Sequence, residues 1–256
     1  KDPSRLPWKK YDIDIVLECT GAFTREQDLK KHLDAGAKKV ILSAPAKGGD
    51  VSTVVFGVNS DAGKGEDIVS CASCTTNCIA PVVEIIGRAA GIEKAVMTTI
   101  HAYTVSQSIV DGPHKKMRRG RAGAANFVPT TTGAAKATTE VLPQYKGKFD
   151  GVAVRGPVPV GSISDMVFLT EKDSSAGDIN DLFKKESESK RYKGVLGVSG
   201  DHIVSSDIIQ DSRASVVDLT MTQVIDGNLV KVMSWYDNEW GYASQMIRQA
   251  LAMSGG

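Results

Sequence analysis

The sequence has no long apolar run and no large excess of charge of either sign. No segment approaches the ~18–20 apolar residues that a membrane-spanning helix needs, and residues 1–20 do not resemble a signal peptide. The 31 basic and 30 acidic residues leave a formal net charge of +1, which gives no general attraction to nucleic acid or to a membrane surface. We therefore expect a cytoplasmic protein without nucleic-acid or membrane partners.

Cysteine is also scarce, with four residues among 256. Cys71, Cys74 and Cys78 lie close together, and a cluster of this kind does not form the framework of a disulfide-rich protein, so we expect free thiols in a reducing compartment. Cys71 and Cys74 have C-x-x-C spacing, but a zinc site needs a second ligand pair and the histidines are scattered singly along the chain. The sequence therefore predicts no metal site.

The glycine-rich G-x-G-x-x-G turn that binds the pyrophosphate of dinucleotides is absent as well. The first half of the chain nevertheless has the order of a parallel sheet, with a strand at 14–19, a helix at 25–35 and a strand at 39–43. Further strands are predicted at 54–58 and 67–70. This half resembles one part of a doubly wound domain.

Two turns that follow these strands are candidate ligand-binding positions. Thr20-Gly21 follows the first strand and Ser43-Ala44-Pro45 follows the next one. Ligands of open parallel sheets bind beyond the carboxyl ends of the strands, which favours these turns as the wall of a binding crevice. On these residues alone, ordinary turns between strand and helix are the alternative.

The second half of the chain combines helices with longer strands. Helices are predicted at 75–90, 130–142, 176–189 and 240–253, and strands at 93–104, 151–155, 162–170, 215–224 and 229–236. Asp226-Gly227 between the last two strands is typical of a hairpin turn. The predicted fold class is α/β: a partial Rossmann-like parallel sheet, followed by an α+β domain whose sheet is mainly antiparallel.

Cys74 is the candidate nucleophile. Ser73 precedes it at a predicted helix start, where hydroxyl side chains cap helices and unpaired backbone N–H groups favour a thiolate. His101 lies near the end of the following strand and can serve as the base. Because buried structural cysteines are common, this pair alone leaves a purely structural role open.

Groups that suit an anion accompany this pair in the sequence. The segment 130–133, Thr-Thr-Thr-Gly, starts a predicted helix, and the N-terminus of a helix binds anions. Four arginines can make bidentate contacts with phosphate: Arg118, Arg119, Arg121 and Arg155. Surface ion pairs are the alternative for each of them. The combination favours a site for a phosphate-bearing substrate.

Four segments resemble, in order, those of the glyceraldehyde-3-phosphate dehydrogenases. Residues 72–81, Ala-Ser-Cys-Thr-Thr-Asn-Cys-Ile-Ala-Pro, resemble the active-site signature of that family, which is highly specific. The other three segments are 99–104, 128–136 and 234–242. The resemblance extends over essentially the whole chain, but the family's amino-terminal βαβ unit with its glycine-rich turn has no counterpart in this sequence.

This resemblance implies a phosphorylating, NAD(P)-dependent aldehyde dehydrogenase of the glycolytic type. Glyceraldehyde 3-phosphate, NAD and inorganic phosphate would give 1,3-bisphosphoglycerate, with NADP the less favoured cofactor. Cys74 would attack the aldehyde to give a thiohemiacetal, His101 would be the general base, and oxidation would leave a thioester that phosphate cleaves. Two alternatives stay open: an erythrose-4-phosphate dehydrogenase, and a catalytically incomplete fragment with a binding or assembly role.

The resemblance also implies binding residues at matching positions. The site of the attacking phosphate would be formed by Ser73, Thr75, Thr132 and Gly133. The site of the substrate's own phosphate would be formed by Thr104, Arg118 and Arg155. The cofactor crevice would be lined by Thr20, Gly21, Phe23, Ser43, Asn238 and Tyr242.

Two positions depart from the family pattern, and one segment bears on the cofactor. Ser106 stands where many members have Asp, and Gly156 stands where Val is common. The first departure affects one expected contact with the substrate phosphate, and the second loosens the turn after Arg155. Gly112-Pro113 resembles the members that use NAD.

The resemblance further implies a division into domains and an oligomer. Residues 1–73 would be a partial NAD-binding domain, 74–237 the catalytic substrate domain, and 238–256 a C-terminal helix that packs back on the cofactor domain. The loop at 106–128, which has no regular period, would cross a subunit interface of a homotetramer. From the residues alone, a solvated basic loop is the alternative, although long irregular loops usually have a function or an interface.

Overall fold

The computed structural model describes residues 2–255 and contains two β-sheets. The first, the parallel sheet, consists of β1 (Ile15–Glu18), β2 (Lys39–Leu42), β3 (Ser52–Thr53) and β4 (Ile68–Ser70). Its spatial order is β1-β2-β4-β3, and every neighbouring pair is parallel. Helix α1 (Glu26–Asp34) connects β1 to β2 and confirms the predicted strand–helix–strand unit.

The second sheet, the mixed sheet, follows helix α2 (Cys74–Ala90). Its strands and the helices between them are β5 (Lys94–Ala102), β6 (Val128–Thr131), α3 (Ala134–Val141), β7 (Phe149–Gly156), β8 (Ser162–Leu169), α4 (Ala176–Glu188), β9 (Leu196–Ser199), β10 (Ser215–Asp218), β11 (Gln223–Ile225), β12 (Leu229–Tyr236) and α5 (Trp240–Met253). The spatial order is β6-β7-β5-β8-β12-β10-β9, and β11 pairs with β12. The β5–β7 and β9–β10 pairs are parallel and the others antiparallel, which confirms the predicted fold class.

The strand predicted at 54–58 is wrong. Val55 is buried, but the Asn59 side chain closes a loop around it. The Oδ1 of Asn59 accepts a hydrogen bond from the Val55 N–H at 2.8 Å, and its Nδ2 donates to the carbonyl of Thr53 at 2.9 Å. This is the turn-forming behaviour expected of asparagine. The apolar run therefore reflects burial. In this segment only Ser52 and Thr53, the two residues of β3, pair with β4.

The single strand predicted at 215–224 is two strands separated by a turn. The carboxylate of Asp218, at the end of β10, accepts hydrogen bonds from the N–H and the hydroxyl of Thr220, at 3.1 Å and 2.6 Å. These bonds bend the chain before β11 begins. The predicted hairpin is confirmed, because Asp226 and Gly227 have positive φ angles of 50° and 77° between β11 and β12.

Helix α2 lies in the main core and brings the cysteine cluster to its edge. Its residues from Thr75 to Val83 are all buried, and it packs on α3, α4 and the mixed sheet. Because α2 follows β4 after a three-residue connection, its first turn lies beyond the carboxyl end of a parallel strand. This is the position where such sheets bind ligands.

Helix α5 packs against the parallel sheet. Met246 and Met253 form an apolar cluster with Ile41 of β2, Val69 of β4 and Cys71. The last helix of the chain therefore contacts the first sheet. No helix within residues 2–255 is long and apolar enough to cross a membrane.

Candidate active site

Cys74 is the first residue of α2, and Ser73 caps that helix. The Ser73 hydroxyl oxygen accepts a hydrogen bond from the Thr76 N–H at 3.1 Å, and the Ser73 backbone is extended. This is the side-chain cap expected of a serine at a helix start. The half-buried thiol of Cys74 therefore lies among the N–H groups of the first helical turn.

The turn that precedes Cys74 is strained and is held by side chains. Ala72 has a φ of +54°, which is rare for a residue other than glycine. The Asn77 amide donates to the carbonyls of Cys71 and Ser73, at 2.8 Å and 2.9 Å, and the Tyr242 hydroxyl donates to the carbonyl of Ala72 at 3.2 Å. Asn77 was not among the predicted site residues, although an amide in the first turn of a helix that starts with a nucleophile is a recognisable signal.

His101 lies near the end of β5 and faces the thiol. Its Nε2 is 3.4 Å from the Sγ of Cys74. Its Nδ1 lies 2.7 Å from the carbonyl oxygen of Ala102 and 2.6 Å from Nη1 of Arg155. The ring is only 5% exposed and meets the ring of Tyr236 edge-on. The predicted cysteine–histidine pair is thus in direct contact.

The electrostatics of the pair favour two neutral groups at neutral pH. Burial, and then the charge of Arg155, lower the pKa of His101 from 6.5 to about 4. Burial raises the pKa of the Cys74 thiol, while hydrogen bonding from Thr75 and the charge of Arg155 lower it in part. The helix start was expected to favour a thiolate, but burial outweighs that effect. Burial therefore acts against the charged form of both groups.

Arg155 lies beside His101 because the two residues are register partners on the parallel strands β7 and β5. Its Nη1 also donates to the Ala102 carbonyl at 3.0 Å. Its Nε is buried without a hydrogen-bond partner in residues 2–255. Burial and the like charge of Arg119 lower the pKa of Arg155. The guanidinium therefore has unused donors next to the reactive pair.

Arg119, and not Arg118, joins this positive cluster. The Arg119 Nε donates to the Thr130 hydroxyl at 3.0 Å, and its Nη1 donates to the Ser106 hydroxyl at 3.1 Å. Arg118 is exposed, and its side chain makes no hydrogen bond to another group of the described chain. The resemblance implied Arg118 as a ligand of the substrate phosphate, whereas in the structure the adjacent Arg119 is the one that bonds to Ser106 and Thr130.

The hydroxyls of Thr104 and Thr132, both predicted to bind phosphate, bond to groups that are close to them in the chain. The Thr104 hydroxyl is half-buried and bonds to the Ser106 hydroxyl at 2.9 Å. Thr132 and Gly133 precede α3, which begins later than predicted because Thr130 belongs to β6, and the Thr132 hydroxyl accepts from the Ala134 N–H at 3.2 Å.

Thr75 differs from these residues because its hydroxyl faces the core. It bonds at 2.9 Å to the hydroxyl of Tyr236, which in turn bonds to the hydroxyl of Thr99 at 2.8 Å. All three side chains are buried. The hydroxyl of Thr75 is therefore engaged within the protein. Tyr236, for which no role was predicted from the sequence, links α2 to β5 beneath the reactive pair.

The predicted cofactor residues of the first half surround the carboxyl ends of β1 and β2. The buried carboxylate of Glu18 accepts hydrogen bonds from the N–H of Thr20 at 2.8 Å and from the Thr20 hydroxyl, and it lies 3.0 Å from the His32 ring. The N–H of Ser43 donates to the Glu18 carbonyl at 3.0 Å. Glu18, an acidic residue inside an apolar strand, thus fixes the turn at Thr20-Gly21. Phe23 is half-buried nearby in the chain.

Asn238 and Tyr242 flank the start of α5. The Asn238 Oδ1 accepts from the Gly161 N–H at 3.2 Å and from the Ser162 hydroxyl at 2.9 Å. Its amide nitrogen donates to no group within residues 2–255, so the orientation of the side chain leaves two N–H donors for a ligand. The Tyr242 hydroxyl bonds to the turn before Cys74, as described above.

All four cysteines are free thiols. In the described part of the chain, no three or more His, Cys, Asp or Glu side chains are grouped so that they could hold a metal ion. Together, the fold and the site define an α/β protein in which a cysteine–histidine pair, flanked by two arginines, lies at the start of a buried helix.

Comparison with known proteins identifies the family. Residues 73–238 match the model of the glyceraldehyde 3-phosphate dehydrogenase C-terminal domain. The chain is 52% identical over 246 residues to a glyceraldehyde-3-phosphate dehydrogenase of Mycobacterium avium, covering 96% of this chain and 72% of that protein. It is 48% identical over 249 residues to one of Streptomyces coelicolor, covering 96% and 74%. The chain belongs to the glyceraldehyde-3-phosphate dehydrogenase family, an oxidoreductase family.

Proposed function

We propose that this chain oxidises and phosphorylates glyceraldehyde 3-phosphate to 1,3-bisphosphoglycerate, with NAD and inorganic phosphate. The observation that carries the proposal is the 3.4 Å contact between the Sγ of Cys74 and the Nε2 of His101, in a chain that belongs to this family. A thiol that can pass its proton to a neighbouring imidazole becomes a nucleophile for an aldehyde carbon.

In the proposed reaction, the sulfur of Cys74 forms a bond to the aldehyde carbon while its proton moves to Nε2 of His101. The same proton then passes from Nε2 to the aldehyde oxygen, and the product is a thiohemiacetal. Burial lowers the pKa of His101 to about 4, so the ring is neutral at pH 7 and one of its nitrogens has a lone pair that can accept a proton. After oxidation, Cys74 carries a thioester, and attack by inorganic phosphate on its carbonyl carbon releases the acyl phosphate and the thiolate.

The substrate's own phosphate is assigned to Arg155, Arg119 and Thr104. The buried Nε of Arg155 lacks a partner, and a phosphate oxygen would supply one. Arg119 contacts Ser106, which is itself bonded to Thr104, so these side chains are connected by hydrogen bonds. The serine at 106 supplies a neutral hydroxyl where many members have a carboxylate, which removes one negative charge beside the proposed phosphate.

The attacking phosphate is assigned to Ser73, Thr132 and Gly133. Gly133 is exposed, with no other atom near the place that a Cβ would occupy, so the start of α3 is open to a ligand. The free N–H groups of the helix start favour an anion there. Thr75 is assigned to this site through its backbone, since its hydroxyl is bonded to Tyr236.

The cofactor is assigned to the carboxyl ends of the parallel strands and to the start of α5. NAD would supply a hydride acceptor when bound. The unused amide donors of Asn238 fit a carboxamide oxygen. Gly21 has a positive φ of +70° and open space at the place that a Cβ would occupy, which lets the chain at Thr20-Gly21 pass close to a ligand. Phe23, Ser43 and Tyr242 would line the same crevice. Gly112-Pro113 favours NAD over NADP.

This assignment agrees with the proposed division of the chain. Residues 1–73 would hold the cofactor, 74–237 the substrate, and 238–256 would return to the cofactor domain, as the packing of Met246 and Met253 on the parallel sheet supports.

A homotetramer is proposed on the exposed apolar side chains of the loop at 106–128. Ile109 is 92% exposed and Met117 is 87% exposed, and Val110 and Phe127 also face solvent. Several large apolar side chains on one irregular segment are typical of a protein–protein interface.

The decisive experiment measures NADH formation by the purified chain with glyceraldehyde 3-phosphate, NAD and phosphate. Cys74→Ser should abolish it, whereas Cys19→Ser, which alters an exposed thiol of the same chain, should not. Phosphate-independent NADH formation or activity that survives Cys74→Ser would contradict the proposal. Faster turnover of erythrose 4-phosphate would favour the related dehydrogenase, and substrate binding without NADH formation would favour the binding role.

A further inference from the structure

A groove of about 1290 Å³ lies between α5, the loop that follows β3 and the segment that connects α4 to β9. Its wall contains one acidic side chain, Asp61, and five basic ones: Lys64, Lys190, Arg191, Lys193 and Arg248. The whole chain, by contrast, has 31 basic and 30 acidic residues. Positive charge is therefore concentrated in this groove, and a concave surface lined by one sign of charge attracts ligands of the opposite sign.

Two of the five basic side chains are already paired. Nζ of Lys64 is 2.6 Å from Oδ1 of Asp61, and Nη1 of Arg191 is 3.0 Å from Oε1 of Glu84. Arg191 also donates to two carbonyls of the loop that follows β3, at 2.7 Å and 2.9 Å. These bonds join the two sides of the groove and hold its walls together.

Arg248 of α5 lines the groove without a partner. Its side chain makes no hydrogen bond and no salt bridge within residues 2–255, although its Nε is buried. A buried donor without an acceptor costs free energy because it has lost its bonds to water. The guanidinium lies directly against Gly194, where a Cβ would be 2.5 Å from Nη2, and the φ of Gly194 is +77°. Glycine at this position therefore gives Arg248 its place in the wall.

Lys190 and Lys193 lie in the same segment as Gly194 and are exposed. Neither forms a salt bridge in the described part of the chain. Together with Arg248, they place three cations without a carboxylate around one cavity. The groove is larger than the roughly 300–1,000 Å³ of pockets that hold drug-sized ligands, so it has room for an anion much larger than orthophosphate.

We propose that this groove binds an anion with several linked phosphate groups, such as a polyphosphate chain or a nucleoside triphosphate. Arg248 supplies the planar guanidinium that matches phosphate oxygens in pairs, and its buried Nε gains an acceptor. Lys190 and Lys193 supply positive charges for the neighbouring phosphate groups. A chain of phosphates suits basic groups that are spread along a groove better than a single phosphate does.

This groove is separate from the site of Cys74. Glu84, which bonds to Arg191 at the groove, lies on α2 ten residues after Cys74, and this spacing corresponds to roughly 15 Å along the helix axis. The proposal therefore does not rest on the dehydrogenase activity, and a ligand in the groove would not occupy the phosphate sites proposed beside Arg155.

Isothermal titration calorimetry with tripolyphosphate at constant ionic strength tests the proposal. The wild type should bind tripolyphosphate at least about tenfold more tightly than orthophosphate. In Arg248→Gln the affinity should fall by about 10- to 100-fold, as expected for lost charge-assisted hydrogen bonds. Arg5→Gln removes the same charge at an exposed position outside the groove and should leave the affinity nearly unchanged.

A second variant keeps the test independent of any effect of Arg248 on folding. Lys190→Gln combined with Lys193→Gln changes two exposed side chains and should weaken tripolyphosphate binding by about tenfold. Lys9→Gln combined with Lys10→Gln, at exposed positions outside the groove, is the matched control. Wild-type affinity in both groove variants, or no binding of tripolyphosphate to the wild type, would overturn the proposal.

Further ligands and one further variant separate the remaining outcomes. Equal affinity for orthophosphate would overturn the requirement for linked phosphates. Binding that is lost in Arg119→Gln but kept in Arg248→Gln would assign the anion to the site of Cys74 and overturn the groove. ATP that binds as tightly as tripolyphosphate would identify the phosphate chain as the ligand, and tighter binding of ATP would identify a nucleotide; both results support the groove. None of these measurements uses NADH formation, so this proposal and the dehydrogenase proposal can fail separately.

Discussion

The Sγ of Cys74 and the Nε2 of His101 lie 3.4 Å apart, although 27 residues separate them in the chain. Cys74 is the first residue of α2, whose buried face packs on the mixed sheet, and His101 is the last residue but one of β5 in that sheet. Packing of one helix on one sheet therefore fixes the distance between thiol and imidazole. The same packing buries both groups, and burial acts against the charged form of each of them.

We predict that His101→Gln lowers kcat by about 10²- to 10⁴-fold, the usual contribution of a positioned general base. Glutamine is similar in size and polar, but it cannot take a proton from Cys74. Steady-state kinetics with glyceraldehyde 3-phosphate measure the effect. His202→Gln, at an exposed position, is the control. Wild-type kcat in His101→Gln would show that the thiol is activated without this imidazole.

His101 should also make the fold sensitive to acid. Its pKa is about 4 in the folded chain and about 6.5 when unfolded, so below 6.5 the unfolded chain binds a proton that the folded chain refuses. Stability from this residue is complete above pH 6.5 and is lost as the pH falls toward 4. Between about pH 7.5 and about pH 5 the loss should be about 2 kcal/mol.

Urea unfolding at the two pH values measures this loss. His101→Gln should lack that part of the change, and His202→Gln should keep it. Equal pH dependence in the wild type and in His101→Gln would show that other groups cause the acid sensitivity.

The reactive pair could be predicted from sequence, because a capped helix start and a strand end have clear local signals. The path of the loop at 106–128, and therefore the direction of each of its side chains, could not be predicted in this way. Arg118 and Arg119 are chemically identical, and only the path of a loop without period decides which one meets Ser106 and Thr130. The wrong prediction of a strand at 54–58 has a related cause. A run of apolar residues indicates that a segment is buried, but it does not show that the segment pairs with a strand. A side chain such as Asn59 can turn the chain within it.

The two adjacent arginines provide a matched test of the substrate site. Arg119→Gln removes the bonds to Ser106 and Thr130 and one charge of the positive cluster, and we predict that kcat/KM for glyceraldehyde 3-phosphate falls by about 10- to 100-fold, as expected for lost charge-assisted bonds. Arg118→Gln should change it less than twofold because that side chain is exposed. A larger fall of kcat/KM in Arg118→Gln than in Arg119→Gln would assign the substrate phosphate to Arg118 instead.

Tyr236 is predicted to stabilise the base of the site. Tyr236→Phe removes the buried hydroxyl that bonds to Thr75 and Thr99 and leaves both without this partner. The free energy of unfolding should fall by about 1–3 kcal/mol. Tyr11→Phe, at an exposed tyrosine, should leave it unchanged. Urea denaturation measures both, and an unchanged midpoint in Tyr236→Phe would mean that the threonine hydroxyls find other partners.

The proposed homotetramer depends on the exposed apolar side chains of the loop at 106–128. Ile109→Asp places a charge where a neighbouring subunit would bury the side chain, and burial of an unpaired charge is strongly unfavourable. Size-exclusion chromatography with light scattering should show a tetramer for the wild type and smaller species for Ile109→Asp. Ile225→Asp makes the same change at an exposed position of the β11–β12 hairpin and should keep the wild-type mass. A monomeric wild type at micromolar concentration, or a tetramer that tolerates aspartate at 109, would assign the loop to solvent instead.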